Sequence, residues 1–407
     1  MAREMKDSGV EWIGKIPKDW KVIKVKKLFH IGRGRVISKL ELKEDGYPVY
    51  SSQTKNNGIL GYIETYDFDK SQITWTTDGA NAGTVFLREG KYNCTNVCGT
   101  LLPKKENEKL KFVEFALKFI APYYKRADIN GFKIMNNEMA EIPIIYPPLE
   151  EQEKIANYLN KKVVDIDLII EKTKTTIEDY KKYKQSIITE AVTKGLNPNV
   201  EMKNSGIEWI GEIPKHWKKI NPKALFYQRK DRAKKDDRQL TASQKYGIMY
   251  QDEFMEKEGV RVTVVQKDFD ILKHVEPNDF VISMRSFQGG LEYSELSGCI
   301  SSAYDMLIPN LDKVYPKFFF KSFKYINALQ STSNLVRDGQ AMRYSNFSQL
   351  YLVEIPLEEQ KEIAEYLDKK VAEIDNLIAK KESLISEMEE YKKSLIYECV
   401  TGKKEII

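Results

Sequence analysis

Lys6-Asp-Ser-Gly-Val-Glu-Trp-Ile-Gly-Lys-Ile-Pro-Lys-Asp-Trp20 recurs later in the chain as Lys203-Asn-Ser-Gly-Ile-Glu-Trp-Ile-Gly-Glu-Ile-Pro-Lys-His-Trp217, with eleven of fifteen positions identical. A second repeat, which opens with Pro-Leu-Glu-Glu-Gln, pairs residues 148–167 with residues 356–375 at fourteen of twenty identical positions. A tag, a variable body and a long repeat therefore follow one another twice, which indicates an internal duplication. The predicted segments are 1–20 (tag), 21–147 (first body), 148–196 (long helix), 197–217 (second tag), 218–355 (second body) and 356–407 (second long helix).

Each Pro-Leu-Glu-Glu-Gln repeat predicts the start of a long helix. Proline is tolerated in a first helical turn, and carboxylates are favourable near the positive end of a helix. Apolar residues then recur at spacings of three and four over roughly 40 residues, as in a heptad stripe, until Gly195 and Gly402 end the two copies. The predicted packing residues are Ile155, Leu159, Val163 and Ile166 in the first copy and Ile363, Leu367, Val371 and Ile374 in the second.

The matching stripes predict that the two helices pack on one another as an antiparallel coiled coil. The alternative is that each helix pairs with another subunit.

The two bodies share a skeleton despite different sequences, with strand-like runs at 73–77, 83–87, 260–265 and 280–283, a strand that ends in Leu-x-Pro, and an amphipathic helix at about 110–121 and 316–329. The predicted fold class is α+β: two globular α/β bodies separated by the two long helices, with pseudo-twofold internal duplication.

Composition limits the class of protein. The 407 residues are 42% hydrophobic and 31% charged, so the chain can bury cores, yet no run approaches the ~20 apolar residues of a membrane span. The first residues, Met-Ala-Arg-Glu-Met-Lys-Asp, lack the apolar segment of a secretory signal. Four cysteines without a Cys-x-x-Cys pair argue against a disulfide scaffold and a zinc ribbon. We therefore expect a cytoplasmic protein without a metal site.

The excess positive charge lies in the two bodies. Residues 21–147 contain 20 basic and 14 acidic side chains, and residues 218–355 contain 21 and 17, whereas the whole chain has a net charge of only +5. Two basic segments favour a polyanionic partner. On charge alone, a mildly basic soluble surface is an equal alternative.

Recognisable catalytic motifs are missing from the sequence. There is no Gly-x-x-x-x-Gly-Lys-Ser/Thr loop, no His-Glu-x-x-His and no Gly-x-Ser-x-Gly. Gly32-Arg-Gly34 lacks the third glycine of a dinucleotide-binding loop. Cys94 or Cys98 with His30 could form a nucleophile and base, but buried structural cysteines are far commoner. The sequence predicts a chain with no catalytic residues.

The repeated residues resemble those of a known family. The Ser-Gly-x-Glu-Trp-Ile-Gly-x-Ile-Pro-x-x-Trp tags and the Pro-Leu-Glu-Glu-Gln-x-x-Ile-Ala helices closely resemble the specificity (S) subunit of type I restriction-modification enzymes. Residues 279–290 and 301–304 also resemble a target-recognition domain of that family. The resemblance covers essentially the whole chain, including the order of its parts.

The resemblance implies a division of labour. The bodies would be two target-recognition domains, each reading one half of a split, asymmetric sequence in double-stranded DNA, and the helices would fix the gap between the halves. Two modification (methyltransferase) subunits would dock on the helices and bind S-adenosylmethionine. Restriction subunits would use ATP and Mg to translocate and cut DNA. This chain itself would be a non-catalytic reader that holds no cofactor.

Polar residues in glycine-containing loops after strands are the candidates for DNA contact. Paired hydrogen bonds from Arg suit guanine, and those from Asn or Gln suit adenine. The candidates for base contact are Lys55, Asn56, Asn57, Thr77, Asp78 and Asn81 in the first body and Arg285, Ser286 and Gln288 in the second. The candidates for phosphate contact are Lys133, Arg343 and the basic cluster of residues 229–238. Asn57-Gly58 and Asp78-Gly79 also suit tight turns. Aspartates interrupt the basic cluster of residues 229–238, so a solvated loop is an equal alternative to a DNA contact there.

Other interpretations stay open at this point. Trp12, Trp20, Trp209 and Trp217 could stack on bases, but identical positions in two tags favour packing against the helices. The alternative function is a self-sufficient DNA-modifying enzyme or nuclease whose active site is not recognised. A purely structural coiled-coil adaptor does not explain two large basic bodies.

Overall fold

The computed structural model describes residues 3–11, 13–129, 131–262, 269–284, 286–310, 315–332 and 342–406. The chain forms two compact units. The first consists of Met1–Lys174 with Ser383–Ile407, and the second consists of Thr175–Glu382. Each unit therefore holds one tag, one body and one end of each long helix.

The first unit contains strands β1–β14 and helices α1–α3, followed by the start of α4. The strands are β1 (Met5–Asp7), β2 (Lys15–Pro17), β3 (Lys21–Lys24), β4 (Phe29–Arg33), β5 (Tyr47–Tyr50), β6 (Ile59–Ile63), β7 (Gln72–Thr76), β8 (Asp78–Gly79), β9 (Val85–Arg88), β10 (Asn93–Cys94), β11 (Cys98–Pro103), β12 (Arg126–Asp128), β13 (Gly131–Lys133) and β14 (Pro143–Tyr146). The helices are α1 (Val25–Leu28), α2 (Leu110–Ile120), α3 (Asn136–Glu141) and α4 (Leu149–Lys194).

The second unit contains strands β15–β26 and the remaining helices, of which α11 returns to the first unit. The strands are β15 (Met202–Asn204), β16 (Glu212–Pro214), β17 (Lys218–Ile220), β18 (Phe226–Arg229), β19 (Leu240–Ser243), β20 (Gly247–Tyr250), β21 (Lys273–Val275), β22 (Phe280–Ile282), β23 (Glu292–Tyr293), β24 (Gly298–Ile300), β25 (Asp305–Pro309) and β26 (Leu352–Glu354). The helices are α5 (Pro222–Leu225), α6 (Gln251–Glu258), α7 (Ser286–Gly289), α8 (Tyr315–Phe319), α9 (Phe323–Ser331), α10 (Tyr344–Phe347) and α11 (Leu357–Val400).

Each body contains its own four-stranded antiparallel sheet, and the two sheets have the same topology. The strand order is β4-β11-β7-β9 in the first body and β18-β25-β22-β23 in the second. The proline of each Leu-x-Pro lies opposite a buried phenylalanine, Pro103 opposite Phe29 and Pro309 opposite Phe226. The duplication seen in the tags and helices therefore extends to the topology of the bodies.

Some predicted elements in the bodies need correction. The second amphipathic helix is interrupted, because Ser322 ends the turn after α8 and caps α9 by accepting a hydrogen bond from the Tyr325 amide. Residues 260–262 are not a strand, and residues 263–265 lie outside the described residues. The run at 83–87 begins its strand only at Val85, since Gly83 and Thr84 belong to the preceding turn.

Within each unit, the start of one long helix packs against the end of the other. In the first unit, Ile155, Leu159 and Ile166 share a core with Leu395 and Cys399. In the second unit, the corresponding core brings the other helix ends together and contains Ile363 and Leu367 with Ile188 and Val192. Val163 and Val371 are half-buried beside these cores, and Ile374 is buried. The prediction of antiparallel pairing within one chain is confirmed.

Equivalent ion pairs accompany this packing. Lys392 Nζ lies 2.6 Å from Asp167 Oδ1 in the first unit, and Lys184 Nζ lies 2.6 Å from Asp375 Oδ1 in the second. Each pair joins the two helices at matching positions of the repeat. No helix among the described residues is long and apolar enough to cross a membrane.

The Pro-Leu-Glu-Glu-Gln repeat starts each helix through its backbone and its glutamine. The Gln152 amide donates to the Pro148 carbonyl (3.0 Å), which is the first i→i−4 bond of α4, so Pro148 is the N-cap residue immediately before Leu149. The buried Gln152 side chain donates to the Pro147 carbonyl, and Gln360 donates in the same way to Ile355. These bonds satisfy carbonyl groups of the chain that enters the helix.

Candidate nucleic-acid interface

Three loops of the first body meet at one surface. We define the first loop cluster as residues 51–58, 77–83 and 95–97, which follow β5, β7 and β10. Asn81 Nδ2 donates to the Ser52 carbonyl (3.1 Å), and Thr95 Oγ1 donates to Ser51 Oγ (3.1 Å). The cluster therefore brings together loops that are separated in sequence, as a composite recognition surface requires.

The 51–58 loop presents the most exposed candidates. The side chains of Lys55, Asn56 and Asn57 are all exposed to solvent. Asn56 and Asn57 both adopt left-handed backbone conformations, with φ of 48° and 51°. The turn interpretation of Asn57-Gly58 is correct for the backbone, and the two amide side chains remain available to an external ligand.

The 77–83 loop contains one residue that cannot reach DNA directly. Thr77 is fully buried, and its hydroxyl donates to Asp78 Oδ2 (2.6 Å). We therefore correct the assignment of Thr77 from base contact to support of Asp78. Asp78 lies 3.5 Å from Arg33 Nη2 and 3.9 Å from Lys133 Nζ. Asn81 is exposed beside it.

Lys133 and Arg33 are the cations next to the first loop cluster. Lys133 Nζ also lies 2.8 Å from Asp128 Oδ2, and this hydrogen bond lowers the pKa of Asp128 below its ordinary value. The Arg33 guanidinium donates to the Asn96 carbonyl. Sequence reasoning missed Arg33, although the flanking glycines of Gly32-Arg33-Gly34 were a signal that the backbone passes close to other chain segments. A Cβ at Gly34 would lie 2.2 Å from the Cys94 carbonyl oxygen.

The second body has its candidates after the equivalent strand, β22. Arg285 lies outside the described residues. Ser286 is buried, and its hydroxyl accepts a hydrogen bond from the Ser283 amide (2.8 Å), so its assignment as a base contact is corrected to a local structural role. Gln288 is exposed, and its Oε1 accepts from Gln244 Nε2 (3.3 Å). The β19–β20 hairpin that contains Gln244 thus contributes to this surface.

Some of the phosphate candidates of the second body already have partners within the protein. Arg343 is exposed and donates to the Ala303 carbonyl (2.9 Å). In the basic cluster of residues 229–238, Arg229 is bonded to Asp279 (2.6 Å) and Arg238 to Asp252 (2.9 Å). Carboxylates therefore neutralise part of the cluster, namely Arg229, Lys234 and Arg238, whereas Lys230 and Lys235 are exposed and stay candidates for phosphate contact.

The tag tryptophans that the structure describes pack against other residues of the protein. Trp20 and Trp217 are buried, and each indole nitrogen donates to a glutamate of a long helix, Glu151 or Glu359. Trp209 packs edge-on against Phe319 and Tyr325, and Trp12 lies outside the described residues. These contacts agree with packing and not with base stacking. In the described part of the chain, no group of three His, Cys, Asp or Glu side chains could hold a metal ion.

The amino-acid sequence is similar to those of known proteins. Residues 17–179 match the family model described as the type I restriction modification DNA specificity domain. A putative type I specificity subunit N-terminus from Mycoplasma pneumoniae is 44% identical over 142 residues, which cover 34% of this chain and 76% of that protein. The putative MjaX specificity subunit of Methanocaldococcus jannaschii is 25% identical over 417 residues, covering 96% of this chain and 95% of the relative.

One solved structure shares the fold along nearly the whole chain. It belongs to a study of complex assembly and conformational transition of the type I R-M system, and its chain superposes with a TM-score of 0.68 at 14% sequence identity. The match covers 96% of this chain and 99% of the other. At this identity the likeness concerns the fold alone.

Proposed function

Because this chain belongs to the family of type I restriction-modification specificity subunits, we propose that each of its bodies reads one half of a split DNA sequence. The observation that carries this proposal is the combination of one sheet topology with two different sets of loop residues. A duplicated scaffold with different loops suits two different half-sites. Specificity subunits of this family are generally non-catalytic, and we assign this chain to recognition and assembly.

Exposed residues of the first loop cluster, and of the segment after β22 in the second body, suit direct reading of base edges. Asn56, Asn57 and Asn81 can each pair with adenine in the major groove through two hydrogen bonds, and Gln288 can do the same in the other half-site. Lys55 and Lys133 supply the phosphate attraction that sets register and makes binding depend on salt. Arg33 joins them as a cation at the rim of the first loop cluster. In the second body, Arg343, Lys230 and Lys235 remain candidates for phosphate contact.

The long helices suit a spacer and a docking surface. The paired helix ends within each unit form a firm connection between a body and the helical pair. We propose that two modification subunits dock on these helices, bring S-adenosylmethionine and methylate adenine, and that restriction subunits add ATP- and Mg-dependent translocation and cleavage. The assembly acts on double-stranded DNA in the cytoplasm.

The test is a methylation map. The full chain is co-expressed with a modification subunit from the same organism in a host that lacks adenine methylation, and methylated adenines are mapped across the genome. A split motif with a fixed gap that disappears when this chain is omitted is the expected result. Methylation that is unsplit, or independent of this chain, would assign recognition to the partner. S-adenosylmethionine binding or metal-dependent nicking by the purified chain alone would favour the self-sufficient enzyme.

A further inference from the structure

A buried arginine lies directly beneath the loop that carries Asn56 and Asn57. Arg88 is the last residue of β9, and only 2% of it is exposed. Its Nε donates to Thr74 Oγ1 (3.2 Å) and its Nη1 donates to the Asn57 carbonyl (2.8 Å). The guanidinium therefore connects the central sheet to the 51–58 loop.

The surroundings of Arg88 are unusual for a buried charge. Its guanidinium carbon lies 3.5 Å from the centre of the Tyr50 ring and 4.2 Å from that of the Phe86 ring. Within the described ranges, no carboxylate lies at ion-pair distance from it. Burial lowers the pKa of Arg88 below its ordinary value. Burying a cation without a carboxylate partner is unfavourable, and only its hydrogen bonds and its contacts with aromatic rings can offset the lost hydration.

The loop above it is in a conformation that needs support. Asn56, Asn57 and Gly58 have φ of 48°, 51° and 81°, three left-handed residues in succession. Asparagine tolerates this region better than other L-residues, but it does so as a single residue, and two asparagines in succession gain from a contact that holds the loop. A Cβ on Gly58 would lie 3.0 Å from Arg88 Nη2. Arg88 therefore bonds to Asn57 and leaves little room for a side chain at the next residue.

We infer that Arg88 is a positioning residue for recognition of the first half-site. It holds the Asn57 carbonyl and thereby fixes the direction in which the Asn56 and Asn57 side chains leave the surface. This inference rests on the proposed function of the first loop cluster. Arg88 itself does not contact DNA, because it is buried under the loop.

The first test is Arg88→Lys in the full chain. Lysine keeps the charge but lacks the planar fork that reaches Thr74 and Asn57 together. We expect amide hydrogen exchange at residues 55–58 to become about tenfold faster or more, as local opening becomes easier. The matched control is Arg126→Lys, which changes an exposed arginine of the same body that pairs with Glu138. It is expected to leave exchange at residues 55–58 unchanged.

The second readout is the methylation map with the modification subunit present. In Arg88→Lys, discrimination against single-base changes is expected to fall about tenfold in the first half-site, while the second half-site is read as before. A general loss of fold would affect both halves. If the wild-type chain yields no split motif, the proposed function fails. If it does, and folded Arg88→Lys reads the first half-site normally, the inference about Arg88 fails.

Thr74→Val carries the test if Arg88→Lys does not fold. Valine keeps the shape of threonine and removes only the acceptor for Arg88 Nε. We expect faster exchange at residues 55–58 and weaker discrimination in the first half-site, in the same direction as for Arg88→Lys but smaller. A folded Thr74→Val chain with wild-type loop exchange and wild-type specificity would overturn the assignment.

Discussion

The Trp20 indole nitrogen donates a hydrogen bond to Glu151 Oε2 across 3.1 Å, and this contact ties the first tag to the opening turn of α4. Arg3 Nη1 binds the same carboxylate oxygen at 2.8 Å. In the second unit, Trp217 donates to Glu359 at 3.0 Å. In each unit the tag tryptophan is thus bonded to a glutamate in the first turn of a long helix. This shared contact explains why the tag and the helix start recur together in the sequence.

Replacing Trp20 by phenylalanine is expected to lower the free energy of unfolding by about 1.5–3 kcal/mol, because a hydrogen bond to a charged group is lost in a buried position. Chemical denaturation of the full chain measures the change. Trp209→Phe is the matched control, since the buried Trp209 Nε1 has no hydrogen-bond partner among the described residues. Equal losses in both variants would contradict a specific role for the Trp20–Glu151 bond.

Reversing one charge of the interhelical ion pair is expected to destabilise the first unit slightly. Lys392→Glu places a like charge opposite Asp167, and an exposed pair of this kind is worth about 0.2–1 kcal/mol. The combined variant Asp167→Lys with Lys392→Glu restores opposite charges and should recover most of the loss. Denaturation curves of both single variants and the double variant measure the coupling. No recovery in the double variant would rule out a contribution from this pair.

Stability of the second unit is expected to depend on Glu276 at acid pH. Both ring nitrogens of the buried His274 face carboxylates, with Nε2 2.6 Å from Glu276 Oε1 and Nδ1 2.7 Å from Asp237 Oδ2. The hydrogen bonds from His274, and then from Lys234, lower the pKa of Glu276 from 4.5 to about 2. A lowered folded-state pKa means that its stabilisation is complete above pH 4.5 and is lost as the pH falls to about 2.

The check is thermal unfolding of the wild type and Glu276→Gln between pH 7 and pH 2. The variant lacks the charged acceptor, so it should be less stable at pH 7. The gap between the two melting temperatures should close over the interval from pH 4.5 to about pH 2. A gap that stays constant through this interval would show that the Glu276 charge does not contribute.

Exposed amides of the two bodies are expected to affect different half-sites. Asn57→Gly, which permits the same left-handed backbone, should weaken discrimination only in the first half-site, and Gln288→Ala only in the second, each by about tenfold because one bidentate base contact is lost. Methylation maps of the two variants, made with the same modification subunit, measure both effects. An effect of either variant on both halves would contradict the assignment of one half-site to each body.

Long periodic segments were predictable from the sequence because their stripes and end residues are local signals. The bounds of α4 (Leu149–Lys194) and the start of α11 at Leu357 agree with the predicted segments to within two residues, whereas α11 ends at Val400, seven residues before the end of the predicted segment 356–407 and close to Gly402. Ser286 and Thr77 were misassigned because burial depends on neighbours that are distant in the chain. The break before α9 was also missed, because it depends on the cap formed by Ser322 in a sequence that is apolar on both sides.

Arg33 and Arg88 show a second limit of sequence reasoning. Arg88 stands in no motif, and the glycines beside Arg33 indicate only a close backbone approach. Their partners, Asn96 and Asp78 for Arg33 and Asn57 and Thr74 for Arg88, come from other strands and loops. Spacing along a chain cannot show which carbonyl a guanidinium will reach. The sequence therefore indicated which loops carry the candidate residues, but not which side chains hold those loops in place.

The first unit consists of two stretches that are far apart in the chain, and this affects the order in which the two units are completed during synthesis on the ribosome. Residues 383–407 belong to the same unit as residues 1–174, whereas the second unit is one continuous stretch of the chain. Leu395 and Cys399 fill the same core as Ile155 and Leu159, and that core is incomplete while they are still untranslated. The second unit is therefore fully translated first, and the first unit, although begun earlier, receives the last residues of its core only afterwards.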